Sequence, residues 1–277
     1  MDIKDLSIII TTFKSEAKIH SCLNSLPKTL KTYVIENSNN KEFKKEIEKS
    51  HSSVECILTG SNKGYSVANN IGLSKIKSKY ALILNPDTIV AQTAIQNFLV
   101  AAKKNPDFWL IGPDHDQNTK SDFKKNKIYE VENLKGFAIF FNIEKFDQIF
   151  FDENFFLYFE EIDLCKRVKL KNGKIFLDPN IRINHEGGTS VDQNLKEKLE
   201  KNRNWHWMWS TFYFHKKYKG FLMALIIIFP KLFSSFCKII FYQIIFDLKK
   251  RDIYFCRLSG IINSIIGNKS WYRPTLD

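Results

Sequence analysis

Residues 80–88 read Tyr-Ala-Leu-Ile-Leu-Asn-Pro-Asp-Thr, and this stretch restricts the fold tightly. Tyr80 and the four apolar residues after it suit a strand covered on both faces. Pro86 cannot continue a central ladder, because it has no amide hydrogen and a fixed φ. The strand therefore stops near Asn85, and Asn85 and Asp87 are presented beyond its carboxyl end. Ligands of open α/β sheets bind at that edge. A carboxylate with an amide two residues before it suits a hard divalent cation holding a phosphate. Taken alone, Asn-Pro-Asp is equally a turn that ends a strand.

The flanking chain repeats the pattern. Leu6–Thr12, Thr32–Glu36 and Val54–Thr59 are further apolar runs of strand length. Between them, Ser15–Leu26 carries Ala17, Ile19, Cys22, Leu23 and Leu26 at helical spacing, and Lys41–Ser50 reads as a charged helix. Asn62-Lys63-Gly64 forms a turn into a helix running to about Lys77, and Ala91–Lys104 reads as another. Strands alternating with helices predict βαβ units, and right-handed crossovers bring the loops at Thr12, Glu36, Asn62 and Asp87 to one edge. A polar loop is expected over Asp114–Asn126, a strand over Gly136–Asn142, and a helix in the second half of Phe150–Val168. Lys174–Asp178 and Ile181–His185 read as short strands. The fold class is α/β, with a mixed, mainly parallel sheet flanked by helices.

Charge divides the chain. Residues 201–277 hold 13 Lys/Arg and 3 Asp/Glu, whereas residues 1–200 hold 29 and 27. We expect a domain over 1–200 and a basic helical region over 201–277. The five cysteines are scattered and never spaced C-x-x-C, which fits reduced thiols in a cytosolic compartment and gives no metal cluster. The first ten residues are too short and acidic for a signal peptide.

Six motifs stand in one order: Ile10-Thr11-Thr12-Phe13; Val34-Ile35-Glu36-Asn37-Ser38; Asn62-x-Gly64-Tyr65-x-x-Ala68-x-Asn70-x-Gly72; Leu84-Asn85-Pro86-Asp87; Phe155 to Cys165; and His185-x-Gly187-Gly188. Together they resemble the family 2 glycosyltransferases of GT-A fold, over about two thirds of the chain. The basic helical ending resembles their rhamnosyltransferase-like branch. The resemblance implies a nucleoside-diphosphate sugar donor, UDP- or dTDP-linked, with dTDP-rhamnose favoured by the branch. It implies an inverting transfer to a glycan or lipid-linked glycan precursor in cell-surface polysaccharide synthesis.

The resemblance also distributes roles. Thr11, Thr12, Phe13, Glu36, Asn37, Asn62, Gly64, Asn70, Asn85 and Asp87 would surround the nucleotide sugar. Glu36 stands where Asp is usual, and its carboxylate can accept from the N3–H of uracil or thymine. Asn70 offers a donor and an acceptor to sugar hydroxyls. Asp87 and His185 would hold a divalent metal, Mn²⁺ or Mg²⁺, with the imidazole favouring Mn²⁺. Asn85 replaces the acid usual at the motif's first position. Glu161 corresponds to the general base. Glu160 would bind acceptor or stabilise the site, and Asp163 would be mostly structural, pairing with Arg167 at i,i+4. Helix-start acids alone explain the same cluster.

The tail adds Trp205, Trp207, Trp209, Lys216, Lys217 and Lys219 ahead of an apolar stretch, Phe221–Phe246, interrupted by Pro230, Lys231 and Lys238. Two lysines and a proline count against a spanning helix, so helices lying in a membrane interface are expected. A nucleic-acid patch would not need so apolar a stretch. An ordinary core helix passes the same reading. The expected location is peripheral, on the cytoplasmic face of a bacterial inner membrane. A non-catalytic membrane-bound scaffold of the same fold is one alternative, which the changes at Glu36, Asn85 and Glu161 leave open, and a nucleic-acid-binding protein using the basic tail is another.

Overall fold

The computed structural model describes residues 3–113, 127–147, 150–185 and 193–273. The chain divides into two compact units, Met1–Asp152 with Glu161–Ser190, and Glu153–Glu160 with Val191–Asp277. The expected loop Asp114–Asn126 and the pair Gly187-Gly188 lie outside the described residues.

The first unit is built on β1 (Leu6–Thr12), β2 (Thr32–Glu36), β3 (Val54–Leu58) and β4 (Tyr80–Leu84), with α1 (Glu16–Asn24), α2 (Lys41–Ser50) and α3 (Tyr65–Leu73) between them. The chain continues through β5 (Thr88–Val90), α4 (Ala94–Lys104), β6 (Phe108–Pro113), β7 (Tyr129–Glu130), β8 (Ala138–Asn142), α5 (Glu160–Leu170), β9 (Lys174–Asp178) and β10 (Ile183–His185). Eight strands form one sheet in the order β3-β2-β1-β4-β8-β6-β9-β7. The run β3-β2-β1-β4 is parallel, as is β6-β9, while β8 lies antiparallel between β4 and β6. The expected mixed, mainly parallel sheet is what forms.

Continuous apolar strands follow from helices on both faces. Ile8 and Ile10 of β1 pack with Ile19 of α1, Phe43 of α2 and Phe98 of α4, while Ile9 packs with Ala68 of α3 and Leu164 of α5 on the other face. The approach of α3 to β1 is close: a Cβ at Gly72 would lie 2.6 Å from Ile9 Cγ2. Asn40 caps α2, accepting from the Phe43 amide at 3.0 Å.

Two helix limits differ from expectation. Helix α3 ends at Leu73 rather than near Lys77, closing through a tight turn in which Lys75 N donates to Gly72 O and Ile76 N to Leu73 O. Helix α4 starts at Ala94, not Ala91, because Thr88–Val90 forms a strand paired antiparallel with Ile183–His185. Thr-Ile-Val is β-branched throughout, which is the signal that would have revealed it.

In the second unit, α6 (Gln193–Lys219), α7 (Phe221–Ile244) and α8 (Leu248–Ile265) pack on one another. Met208 and Phe212 of α6, Ala224 and Ile228 of α7 and Ile261 of α8 share a core. Residues 155–159 join them: Phe155 meets Tyr213 edge-on at 5.0 Å, and Ser210 Oγ donates to Leu157 O at 2.9 Å. Tyr158 and Phe159 are both left-handed, at φ 69° and 70°, with their rings against Trp207. Helix α7 runs unbroken through Pro230 to Ile244.

Candidate active site

The turn after β4 sets the centre of the site. Asn85 N donates to Phe137 O at 2.9 Å, which ends the strand against the start of β8. Thr88 then closes the turn, its N–H at 3.2 Å and its Oγ1 at 2.7 Å from Asn85 O. Pro86 supplies the fixed φ at the turn's second position, and Asp87 projects from the third. The β5–β10 pairing sets His185 opposite Thr88. His185 Nε2 lies 3.2 Å from Asp87 Oδ1 and 3.4 Å from Asn85 Nδ2. Its ring stacks on Phe137, with centroids 4.9 Å apart and planes 9° from parallel. Residues far apart in the chain thus present a carboxylate and an imidazole together. Burial disfavours the Asp87 carboxylate, but hydrogen bonding and charge from His185 outweigh it and hold the pKa below the usual value.

The same β8 edge carries the candidate base. Glu161 lies near the start of α5, its side chain beside Gly136, where a Cβ would lie 3.7 Å from Glu161 Cγ. Tyr65 OH donates to Gly136 O at 2.6 Å, so α3 buttresses this edge. Burial raises the Glu161 pKa, against the opposing pull of its own and Ile162's backbone N–H groups and of Lys135. The segment Lys135-Gly136-Phe137 therefore links Glu161 to Asn85, Asp87 and His185. Sequence reasoning did not single out Tyr65, Gly136 or Phe137 for this edge, although the first belongs to the Gly64-Tyr65 motif.

The ends of β1 and β2 hold two buried polar atoms, Thr12 Oγ1 and Glu36 Oε2, with no hydrogen-bond partner among the described residues. Thr12 and Glu36 are register partners, so both side chains leave the same face of the sheet. The other Glu36 oxygen accepts from Ser38 Oγ. Burial raises the Glu36 pKa, opposed by the Ser38 hydroxyl. An unpartnered donor-acceptor pair at a strand edge is chemically suited to a ligand's N–H beside a carbonyl.

Several of the expected nucleotide-sugar residues are hydrogen-bonded into the walls. Asn37 Nδ2 donates to Asn62 Oδ1 and Gly64 O, and its Oδ1 accepts from Lys63 N and Thr59 Oγ1. Asn62 Oδ1 also accepts from Gly64 N at 3.1 Å, and Gly64 takes φ +85° where α3 begins. Thr11 Oγ1 donates to Asn69 Oδ1 at 3.0 Å. Asn70 grips the Phe151 backbone with both ends of its amide, at 3.0 Å each. Asn70 thus holds the Phe151 backbone in place. Asp163 is fully buried and accepts from Arg167 Nε at 2.7 Å, and Arg167 also reaches Phe150 O. Glu160 opens α5, is buried, and falls in the second unit. Phe13 follows β1 and is half-buried.

Comparison with known proteins follows from this geometry. The model of the family described as glycosyl transferase family 2 matches residues 7–164. A low-salt glycan biosynthesis hexosyltransferase, Agl10 of Haloferax volcanii, is 27% identical over 195 residues, which cover 61% of this chain and 62% of that protein. A mannosyltransferase from Pyrobaculum calidifontis, solved with GDP-Man and Mn²⁺, superposes with a TM-score of 0.58 at 10% identity, covering 94% of this chain and 87% of that one. GalNAc-T7, solved with UDP, GalNAc and Mn²⁺, gives 0.53 at 14% identity, covering 71% and 47%. At such identities the structures speak to the fold, and the fold is GT-A.

Proposed function

The chain belongs to glycosyltransferase family 2, and from that premise we propose that it transfers a hexosyl group from a nucleoside-diphosphate sugar to a hydroxyl, with inversion. The observation that carries this reading is Asp87 and His185 meeting at 3.2 Å, on the edge that also holds Glu161. The related hexosyltransferase of glycan biosynthesis supports a growing glycan or its lipid-linked precursor as acceptor. The likeness of the basic helical ending to the rhamnosyltransferase-like branch supports dTDP-rhamnose as donor.

The donor set fits a divalent cation. Two bonds of about 2.1 Å at a right angle need about 3 Å between donors, close to the separation of Asp87 Oδ1 and His185 Nε2. Among the described residues no third His, Cys, Asp or Glu joins them, so water and diphosphate oxygens would complete the shell. The mixed carboxylate-imidazole pair favours Mn²⁺ over Mg²⁺. When bound, the ion would supply positive charge to a departing diphosphate. His185 holds the Asp87 pKa below its ordinary value against the pull of burial. Asn85 adds an uncharged amide beside them. Glu161, made more basic by burial, takes the proton from the acceptor hydroxyl as its oxygen attacks the anomeric carbon. No covalent glycosyl-enzyme is required. Glu36 accepts from a base N–H, and Thr12 donates to a neighbouring carbonyl, which suits the imide edge of uracil or thymine.

A thermal-shift panel of UDP-, dTDP- and GDP-sugars, with and without Mn²⁺, tests the reading. A donor that raises Tm only with the cation, an effect lost in Asp87→Ala, is the expected result. A panel in which no nucleotide sugar shifts Tm overturns it.

A further inference from the structure

We infer that α7 seats the second unit on an anionic lipid bilayer, its axis in the membrane plane, through a single apolar stripe. Leu222, Ile226, Phe229, Phe233, Phe236 and Ile240 recur at alternating steps of four and three, and each is exposed. At about 100° per residue they fall within an arc of about 90°, and exposed Ile244 extends the line to the helix end. So long an uninterrupted apolar stripe marks a contact surface.

The two lysines that broke the sequence pattern are not on that stripe. Lys231 and Lys238 lie about half a turn around the helix from it. Lys238 Nζ lies 3.2 Å from Tyr254 OH and over the Tyr254 ring on α8. Between the lysines, buried Ser235 donates to Lys231 O at 2.7 Å. One face of α7 is thus given to protein and the other to the medium.

That division separates lying from crossing. Helix α7 has 24 residues and is long and apolar enough to span, at about 36 Å. Its inner face is taken at both ends, however. Ala224 and Ile228 share a core with Ile261 of α8 and Phe212 of α6, and Tyr242 stacks on Tyr254 with ring centroids 5.5 Å apart. A spanning α7 would draw its packed partner α8 into hydrocarbon together with Arg257, at considerable cost. Lying flat, α7 buries the stripe alone.

Charge selects the occupant. Lys216, Lys217 and Lys219 precede the stripe, and Lys249, Lys250 and Arg251 follow it. Residues 201–277 hold 13 Lys/Arg against 3 Asp/Glu. Basic clusters at both ends of an apolar stripe complement anionic headgroups. In a second copy they would face their own like charges.

Cys237 stands between Phe233 and Ile240 on the stripe side and is the exposed cysteine of the five. The full chain is labelled there with an environment-sensitive fluorophore and mixed with vesicles of phosphatidylglycerol and phosphatidylethanolamine. A blue shift is expected, weaker with phosphatidylcholine alone and weakened by salt. Phe229→Glu with Phe233→Glu, exposed positions whose change leaves the helical circular dichroism intact, reduces vesicle partitioning at least tenfold. In Cys237→Ser protein, Lys219→Cys and Lys249→Cys both react with an impermeant maleimide added outside the vesicles. The inference is overturned by an unshifted spectrum, by undiminished partitioning of the double variant, or by protection of one cysteine, which marks a spanning helix. RNA binding in place of vesicle binding, or a dimer that the double variant dissolves while vesicles are ignored, overturns it equally.

Discussion

Replacing Glu161 by Gln separates the chemistry of the site from its stability. The two side chains are isosteric, so the packing of Glu161 beside Gly136 is kept, and only charge and basicity change. Loss of a general base costs about 100- to 10,000-fold in rate, or about 3–5 kcal/mol of transition-state stabilisation. We expect kcat to fall by that amount with donor KM nearly unchanged, since the proton is lost from the acceptor. Stability should move the other way. Burial raises the folded-state pKa of Glu161, so the folded protein holds this proton more tightly than the unfolded chain, and ionising it costs stability. The cost is complete above the folded pKa. It disappears as pH falls to the unfolded value, about 4.3. Urea unfolding should therefore find Glu161→Gln more stable than wild type at pH 7, the two converging toward pH 4. The rate of the wild-type enzyme should fall through the same window as the base is protonated. A variant that retains kcat within about threefold, or is less stable at pH 7, refutes the assignment of a buried base here.

Asn70→Ala removes two hydrogen bonds at 3.0 Å to the Phe151 backbone and should cost about 2–4 kcal/mol in urea unfolding, without raising donor KM. A raised KM at unchanged stability would instead mark a contact with the donor sugar. Arg167→Ala leaves the fully buried Asp163 carboxylate without its guanidinium. It should destabilise by about 3–5 kcal/mol, with Arg167→Ala/Asp163→Asn recovering part of the loss.

Much of the frame is legible because its causes are local. Ile8, Ile9 and Ile10 leave β1 on alternate faces, and all three are buried, so an unbroken apolar run implies helices on both sides. Pro86 ends β4 for reasons internal to its own ring. The polar residues are harder to read, because an amide's partner is chosen by tertiary neighbours rather than by its own segment. Asn37 and Asn70 look like ligand contacts in a motif, yet one ties the 59–64 loop and the other holds Phe151. Thr12 and Glu36 look no different in sequence, yet each keeps a buried oxygen with no hydrogen-bond partner among the described residues.

The meeting of Asp87 with His185 depends on the short β5–β10 pairing, which a helix drawn from Ala91 obscures. Three residues of strand have little period to detect, and only their β-branching marks them. In α7 the pattern is long, and the angle of each charge about the helix axis tells more than the number of charges. Lys231 and Lys238, seven residues apart, lie together opposite the stripe. Two charges on one face of a helix do not make it less amphipathic; they define its polar side. For a helix with an exposed apolar stripe running from Leu222 to Ile244, the angular position of each charge, rather than its number, separates a segment that crosses a bilayer from one that rests upon it.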